Sequence, residues 1–280
     1  MSNFLRRTLT GFWIVVFIIG GFLLHPVSFA VTGLIILTGT QYEYYRIIGK
    51  TGIRPQMITG LAVSVTAYVL ATLAAAGILA TQWLLLVLPL LSLVFITGLY
   101  RKEDRPFDSI AHTLLPLVYI TLPLSLIPFA GFGHSGLKPI LPAAGIIFSP
   151  GIIIGFFLLL WINDTGAYLA GVTLGKHRLM ERISPKKSWE GFAGGALLAL
   201  AAAWFMPGWL GITDRKGWLL ISIIITVTGT YGDLSESMLK RSLGLKDSGN
   251  IMPGHGGFLD RFDSTLMSFP LVYLFIVLFG

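Results

Sequence analysis

The sequence contains no cysteine, and charged residues occupy only 12% of its 280 positions. The first absence excludes disulfides, thiolate metal sites and a cysteine nucleophile, and leaves oxygen and imidazole as ligands for any metal. The second excludes an ordinary soluble domain, in which about 25% of residues are charged. With 54% hydrophobic residues and a positive mean hydropathy, the chain reads as one whose solvent is a bilayer. Neither GxxxxGKS/T nor a Gly-rich kinase loop occurs, which argues against a soluble type of nucleotide fold. No small-residue cleavage site follows the first apolar run, where Phe22, Leu23, Leu24, His25 and Pro26 stand, so that run is read as retained. There is no low-complexity tract and no inverted repeat. The formal net charge of +7 is read by position along the membrane edges, and no nucleic-acid partner is expected.

A helix needs about 20 mainly apolar residues to cross the hydrocarbon. Uncharged apolar runs bounded by charge, Gly or Pro fall at 9–24, 27–40, 57–80, 83–99, 110–130, 146–162, 191–206, 218–231 and 264–279. The expected fold is therefore all-α and polytopic, with about nine transmembrane helices. Residues 1–145 form a lipid-embedded part with room for dimer contacts, and 146–280 a catalytic part with cytoplasmic loops. Lys and Arg concentrate on the cytoplasmic side of membrane proteins. With the N-terminus inside, all 20 basic residues except Lys138, Arg215 and Lys216 fall on that side. The C-terminus is then external. The first half is chemically bland, and polar residues gather in two cytoplasmic loops, 163–190 and 232–263.

Ionisable residues at the ends of apolar spans are costly, so their clusters mark candidate sites. One is WINDTGAYLAGVTLGKHRL, in which Asn163 and Asp164 end the sixth run; a polar cap, with Gly166 and Gly171 for close helix packing, explains it equally well. A second is ISPKKSWEGFAGG, a Ser-Pro turn carrying Lys186, Lys187 and Ser188 before a helix with Gly191, Gly194 and Gly195 on its first turns. Two lysines and open amides at a helix N-terminus suit a polyphosphate, although Lys pairs at a cytoplasmic edge also serve topology alone.

The third is the most specific. Asp233, Glu236, Ser237 and Lys240 recur at spacings of three and four and so share one helix face. Beyond a Gly/Pro-rich loop, Asp260 and Asp263 stand three apart at the mouth of the last run. Two pairs of acids on facing helix ends make an oxygen-only site of the kind Mg²⁺ takes together with substrate phosphate. Between them lie Lys240, Arg241, Lys246 and the turn PGHGG, whose Gly254, Gly256 and Gly257 open the backbone around His255. These ingredients suit phosphoryl or nucleotidyl transfer. A phosphate monoester, with its second pKa of about 6, is already largely ionised and needs no strong base, so the protein's task is to position two polyanions and neutralise charge.

Ser237, Lys240, Arg241, Lys246, Asp247, Pro253, His255, Gly256, Gly257, Asp260, Arg261 and Asp263 resemble the signature of the phosphatidate cytidylyltransferases. Met252 stands where that family usually has Leu or a similar residue. NDTGAY and SPKKSWEG are similar to that family too, so the resemblance covers about residues 161–280. It implies that the phosphate of phosphatidic acid attacks the α-phosphorus of CTP and pyrophosphate leaves. It further implies Mg²⁺, with K⁺ as a second cation, held by Asp233, Asp260 and Asp263, a homodimer among membrane lipids, and the bacterial inner membrane as location. To the phosphates of the two substrates we assign Lys186, Lys187, Lys240, Arg241 and Lys246. Two other readings stay open: a CTP-using polyprenol kinase, which would release CDP, and an ion-coupled transporter.

Overall fold

The computed structural model describes residues 3–133, 139–141, 143–206, 208–211, 215–245, 249 and 256–279; for residues 3–10 and Trp209 only the backbone is described. Lys246 and His255, both expected at the site, lie outside the described residues.

Helix α1 (Asn3–Leu24) passes into α2 (Pro26–Gly49) through the single residue His25. His25 accepts the Val27 N–H on its ring and donates its own N–H to Ser28 Oγ, while Pro26 supplies the fixed φ of a first helical turn. α3 (Met57–Ala75) follows, and then a 3₁₀ turn (Thr81–Leu86) that runs into α4 (Val87–Tyr100). α5 (Pro106–Pro116), a π-helical turn (Leu117–Thr121) and α6 (Leu122–Gly131) make one rod. Pro116 lacks an N–H for the ladder, and the wider turn forms directly after it. α7 (Gly151–Leu174), strands β1 (Arg178–Met180) and β2 (Ser184–Ser188), α8 (Trp189–Trp204), α9 (Arg215–Ser242) and α10 (Leu259–Phe279) complete the chain.

Each of the nine apolar runs overlaps a helix. Among the described residues, six helical stretches are long and apolar enough to span: Met57–Ala75, Thr81–Tyr100, Pro106–Gly131, Gly151–Leu174, Arg215–Ser242 and Leu259–Phe279. α1 adds a shorter apolar stretch, Gly11–Leu24. α2 carries Glu43 and Arg46, and α8 has only 16 residues. The stretch Thr81–Tyr100 is strongly apolar yet only 11% buried in the protein, with Leu88, Leu93, Phe95 and Ile96 all exposed. An apolar surface of this extent calls for lipid or a protein partner against it. The chain is a helical, multi-pass membrane protein.

Three local expectations are corrected. The Lys pair lies on no simple Ser-Pro turn: Ser184–Ser188 is a strand paired antiparallel with Arg178–Met180, a small β element in an otherwise helical fold. The sixth span does not end at Asn163 and Asp164, since α7 continues to Leu174. Its polar pair is tolerated mid-helix because Asn163 is bonded to α9 and Asp164 faces a cavity. The ninth span begins at Leu259 rather than 264, so both of its acids are helical.

In lipid, helices gain little hydrophobic driving force from one another and pack through small residues and interhelical hydrogen bonds worth about 0.6 kcal/mol each. Both devices recur here. A Cβ on Gly155 would lie 2.2 Å from the buried Trp218 ring. Tyr45 donates to the Thr113 carbonyl (3.0 Å) and Gln56 to that of Val94 (2.9 Å), which ties α2 to α5 and the segment before α3 to α4. One buried cluster, including Phe22, Phe29, Phe148, Phe156, Trp218 and Phe269, draws on both halves of the chain.

Candidate active site

Glycines set the close crossings on which the site is built. At the α7–α8 crossing, a Cβ on Gly166 would lie 2.9 Å from the Gly194 carbonyl, one on Gly191 2.9 Å from that of Ala167, and one on Gly195 2.8 Å from that of Asn163. At the α9–α10 crossing, a Cβ on Gly232 would lie 2.6 Å from the Asp263 carbonyl, and Ser264 Oγ donates to the Gly229 carbonyl (3.0 Å). Thr226 of α9 donates to Asn163 Oδ1 (2.9 Å) and links α9 to α7. The glycines after the Lys pair therefore serve helix packing, and the Gly191 N–H is taken by the N-cap, Ser188 Oγ (3.1 Å). The expectation of open amides there is corrected on that ground.

These crossings bring the three sequence segments to one cavity of about 370 Å³. It is lined by Asn163, Asp164 and Tyr168 of α7, by Lys186, Lys187 and Ser188 of β2, by Gly191 and Phe192 of α8, and by Gly229, Thr230, Asp233 and Ser264 of α9 and α10. Lys187 Nζ lies 2.6 Å from Asp233 Oδ2 and acts on Asp164 and Asp263 as well. Asp164, Asp233 and Asp263 are within electrostatic reach of one another. Asp263 is buried, its Oδ1 accepting the Ser264 N–H at 2.6 Å. The Ser237 hydroxyl donates to Asp233 Oδ1 (3.3 Å).

A second cluster adjoins along α9. Lys240 Nζ bridges Glu236 and Asp260, at 2.6 Å from Asp260 Oδ1, and Asp260 Oδ2 accepts the Gly257 N–H (3.0 Å). Gly256 has φ +86°, in the region that favours glycine, and a Cβ there would meet Asp260 Oδ2 at 2.6 Å. Arg241 is exposed, donates to the Leu245 carbonyl at the end of α9 and does not line the cavity.

The β-hairpin that carries the lysines is anchored by Glu190, which sequence reasoning passed over. Its carboxylate accepts the N–H groups of Lys176 (3.1 Å) and His177 (3.2 Å) and pairs with His177 Nδ1 (2.6 Å). The hydrogen bond from His177, foremost, holds the Glu190 carboxyl down to about 2.

The donor set fits a hard cation. Among the described residues no three His, Asp or Glu side chains form a ready metal cage, but Mg²⁺ commonly takes only one or two carboxylates and completes its shell with water and phosphate. Asp164 and Asp233 line the cavity and Asp263 lies within their electrostatic reach, with Lys187 as the neighbouring cation, an arrangement that a dication would relieve. Asp260 is engaged by Lys240 instead.

Fold and cavity together define a membrane-embedded protein that gathers lysines and carboxylates where its helices cross, a chemistry suited to polyanions. The chain belongs to the cytidylyltransferase family, which it matches over residues 5–279. It is 39% identical over 181 residues to a phosphatidate cytidylyltransferase of Bacillus subtilis, a stretch covering 64% of this chain and 62% of that protein. It is 45% identical over 123 residues to one of Staphylococcus epidermidis and 46% over 123 residues to one of Staphylococcus saprophyticus, covering 43% of this chain and 47% of each relative. The matched stretches thus span less than two thirds of these relatives.

Proposed function

We propose that this protein transfers the cytidylyl group of CTP to phosphatidic acid, giving CDP-diacylglycerol and pyrophosphate. The observation that carries the reading is the meeting of Asp164, Lys186, Lys187 and Asp233, from three separate segments, around one cavity. The names of the relatives agree with it. In the reaction a phosphate oxygen of the lipid forms a bond to the α-phosphorus of CTP, and the bond from that phosphorus to the bridging oxygen breaks, with pyrophosphate carrying away the electron pair. The attacking phosphate is already ionised at neutral pH, so the protein needs no strong base and must instead hold two polyanions together.

Lys187 is paired with Asp233 and stands ready to exchange that partner for a phosphate oxygen, with Lys186 beside it. Asp233 and Asp263 would hold Mg²⁺, which would supply charge neutralisation between the two substrates, with K⁺ as a second cation and Asp164 and Asn163 in the lining of the same cavity. Lys240 holds Asp260 in the adjoining cluster. As further parts of the reading, the chain crosses the inner membrane nine times, its N-terminus and cavity are cytoplasmic, its C-terminus is external, and it works as a homodimer. A reporter fused after Gly280 tests the orientation.

The decisive experiment incubates purified protein with CTP, Mg²⁺ and defined phosphatidic acid. Pyrophosphate and CDP-diacylglycerol are expected; CDP with a phosphorylated polyprenol would replace this reading with that of a kinase. Asp233→Asn and Asp263→Asn, in protein of verified fold, are each expected to lower turnover at least about a hundredfold, the cost of losing one electrostatic contact to a transition state, and Asp260→Asn, which acts through Lys240, by about 10–100-fold. Near-normal turnover in Asp263→Asn would remove the metal site from the proposal.

A further inference from the structure

Among the described residues, an acidic side chain of the first half of the chain reaches the start of α10. Glu43, on α2, is 1% exposed. Its Oε2 accepts the N–H of Leu259, the first residue of α10, at 2.8 Å, across 216 positions of sequence. A carboxylate there meets an otherwise unbonded amide at the positive end of a 21-residue helix.

The backbone around it is shaped to its outline. A Cβ on Gly257 would lie 1.8 Å from Glu43 Oε1, and one on Gly249 1.9 Å from the same oxygen. Neither glycine has the positive φ that would exclude a side chain, so a side chain at either would have to displace the Glu43 carboxylate. Gly257 in turn donates its N–H to Asp260 Oδ2, and Asp260 is the partner of Lys240.

From this we infer that Glu43 is a positioning residue for the candidate active site. Its carboxylate clamps the α10 N-terminus and the Gly257 backbone, and through them sets where Asp260 and Asp263 present their oxygens. The inference rests on the proposed cytidylyltransferase reading, since it concerns how that site is held. Groups that orient the residues touching a metal or substrate typically change activity by about 10–100-fold when removed.

The test uses the full chain, purified and reconstituted, as parent, Glu43→Ala, Glu43→Gln, Gly257→Ala and the Glu43→Ala/Gly257→Ala double variant. Pyrophosphate release is followed against CTP and Mg²⁺, with the folded fraction measured in parallel. Glu43→Ala is expected to lower kcat per folded molecule by about 10–100-fold, with the KM for CTP changing far less and the Mg²⁺ midpoint rising. Glu43→Gln keeps one acceptor oxygen and should recover part of the loss. Gly257→Ala pushes Glu43 out of its seat and should lose kcat as Glu43→Ala does. Because both act through one contact, the double variant should be no worse than the poorer single variant. A normal kcat per folded molecule in Glu43→Ala, or losses that multiply in the double variant, overturns the inference. Absence of pyrophosphate release from the parent overturns the cytidylyltransferase reading instead, so the two failures are distinguishable.

Discussion

Replacing Lys240 with methionine tests the packing of α9 against α10 through one charge. Lys240 Nζ bridges Glu236 and Asp260, and the three side chains are 13%, 1% and 12% exposed respectively. Methionine keeps a similar length and helix propensity but removes the cation from between two acidic side chains. Breaking a buried pair by removing one partner costs about 3–5 kcal/mol, whereas an exposed pair contributes about 1 kcal/mol at most. The low exposures select the larger figure. At about 2 °C per kcal/mol for a long chain, the unfolding temperature in detergent should fall by about 6–10 °C. Adding Glu236→Leu removes one of the stranded carboxylates and should recover most of the loss, because an apolar replacement of a buried ion pair is often neutral. A fall below about 2 °C in Lys240→Met, or a double variant less stable than the single, would refute the view that this bridge is desolvated.

Two further predictions concern the scaffold of the cavity. Glu190 is held down to about 2, below its ordinary 4.5, chiefly by His177. Because the folded value is the lower one, its hold on the β-hairpin is fully present above about pH 4.5 and is lost as the pH falls toward 2. Hydrogen exchange at the Lys176 and His177 amides, corrected for intrinsic rates, should therefore show steady protection from pH 7 to 5 and a decline below 4.5; protection that rises on acidification would contradict this. At the α7–α8 crossing, Gly195→Val puts a branched side chain where even a Cβ lies 2.8 Å from the Asn163 carbonyl and 2.9 Å from Asn163 Oδ1. An overpacking cost of about 1–3 kcal/mol is expected in thermal unfolding, together with a distorted cavity. Gly20→Ala, with nothing within 4 Å, serves as the comparison and should cost nothing.

Much of the site was legible because helical periodicity is a local rule. Spacings of three and four put Asp233, Glu236, Ser237 and Lys240 on one face of α9, and the structure finds Glu236 and Lys240 paired there. The scarcity of charge and the high apolar content were enough to indicate the bilayer as solvent. Element ends were less legible. Asn163 and Asp164 looked like the end of a span because polar residues usually leave the hydrocarbon, and only the bond from Thr226 and the cavity explain why α7 continues past them. Glu43 could have been flagged as a lone acid in an apolar helix, but its target lies 216 positions away.

Composition, periodicity and motif spacing by themselves determined the solvent, the helical class, the family resemblance and the residue types available for polyanion chemistry, since each depends on the chain's own chemistry over a few turns. The tertiary structure alone decided which cation meets which acid across elements: Lys187 with Asp233, Lys240 with Asp260, His177 with Glu190. It also decided that the glycines after the Lys pair seat a neighbouring helix. The physical reason is that pairing and close approach depend on distances between elements, and those are set by where small residues let helices cross, a property of two surfaces together that neither segment carries alone.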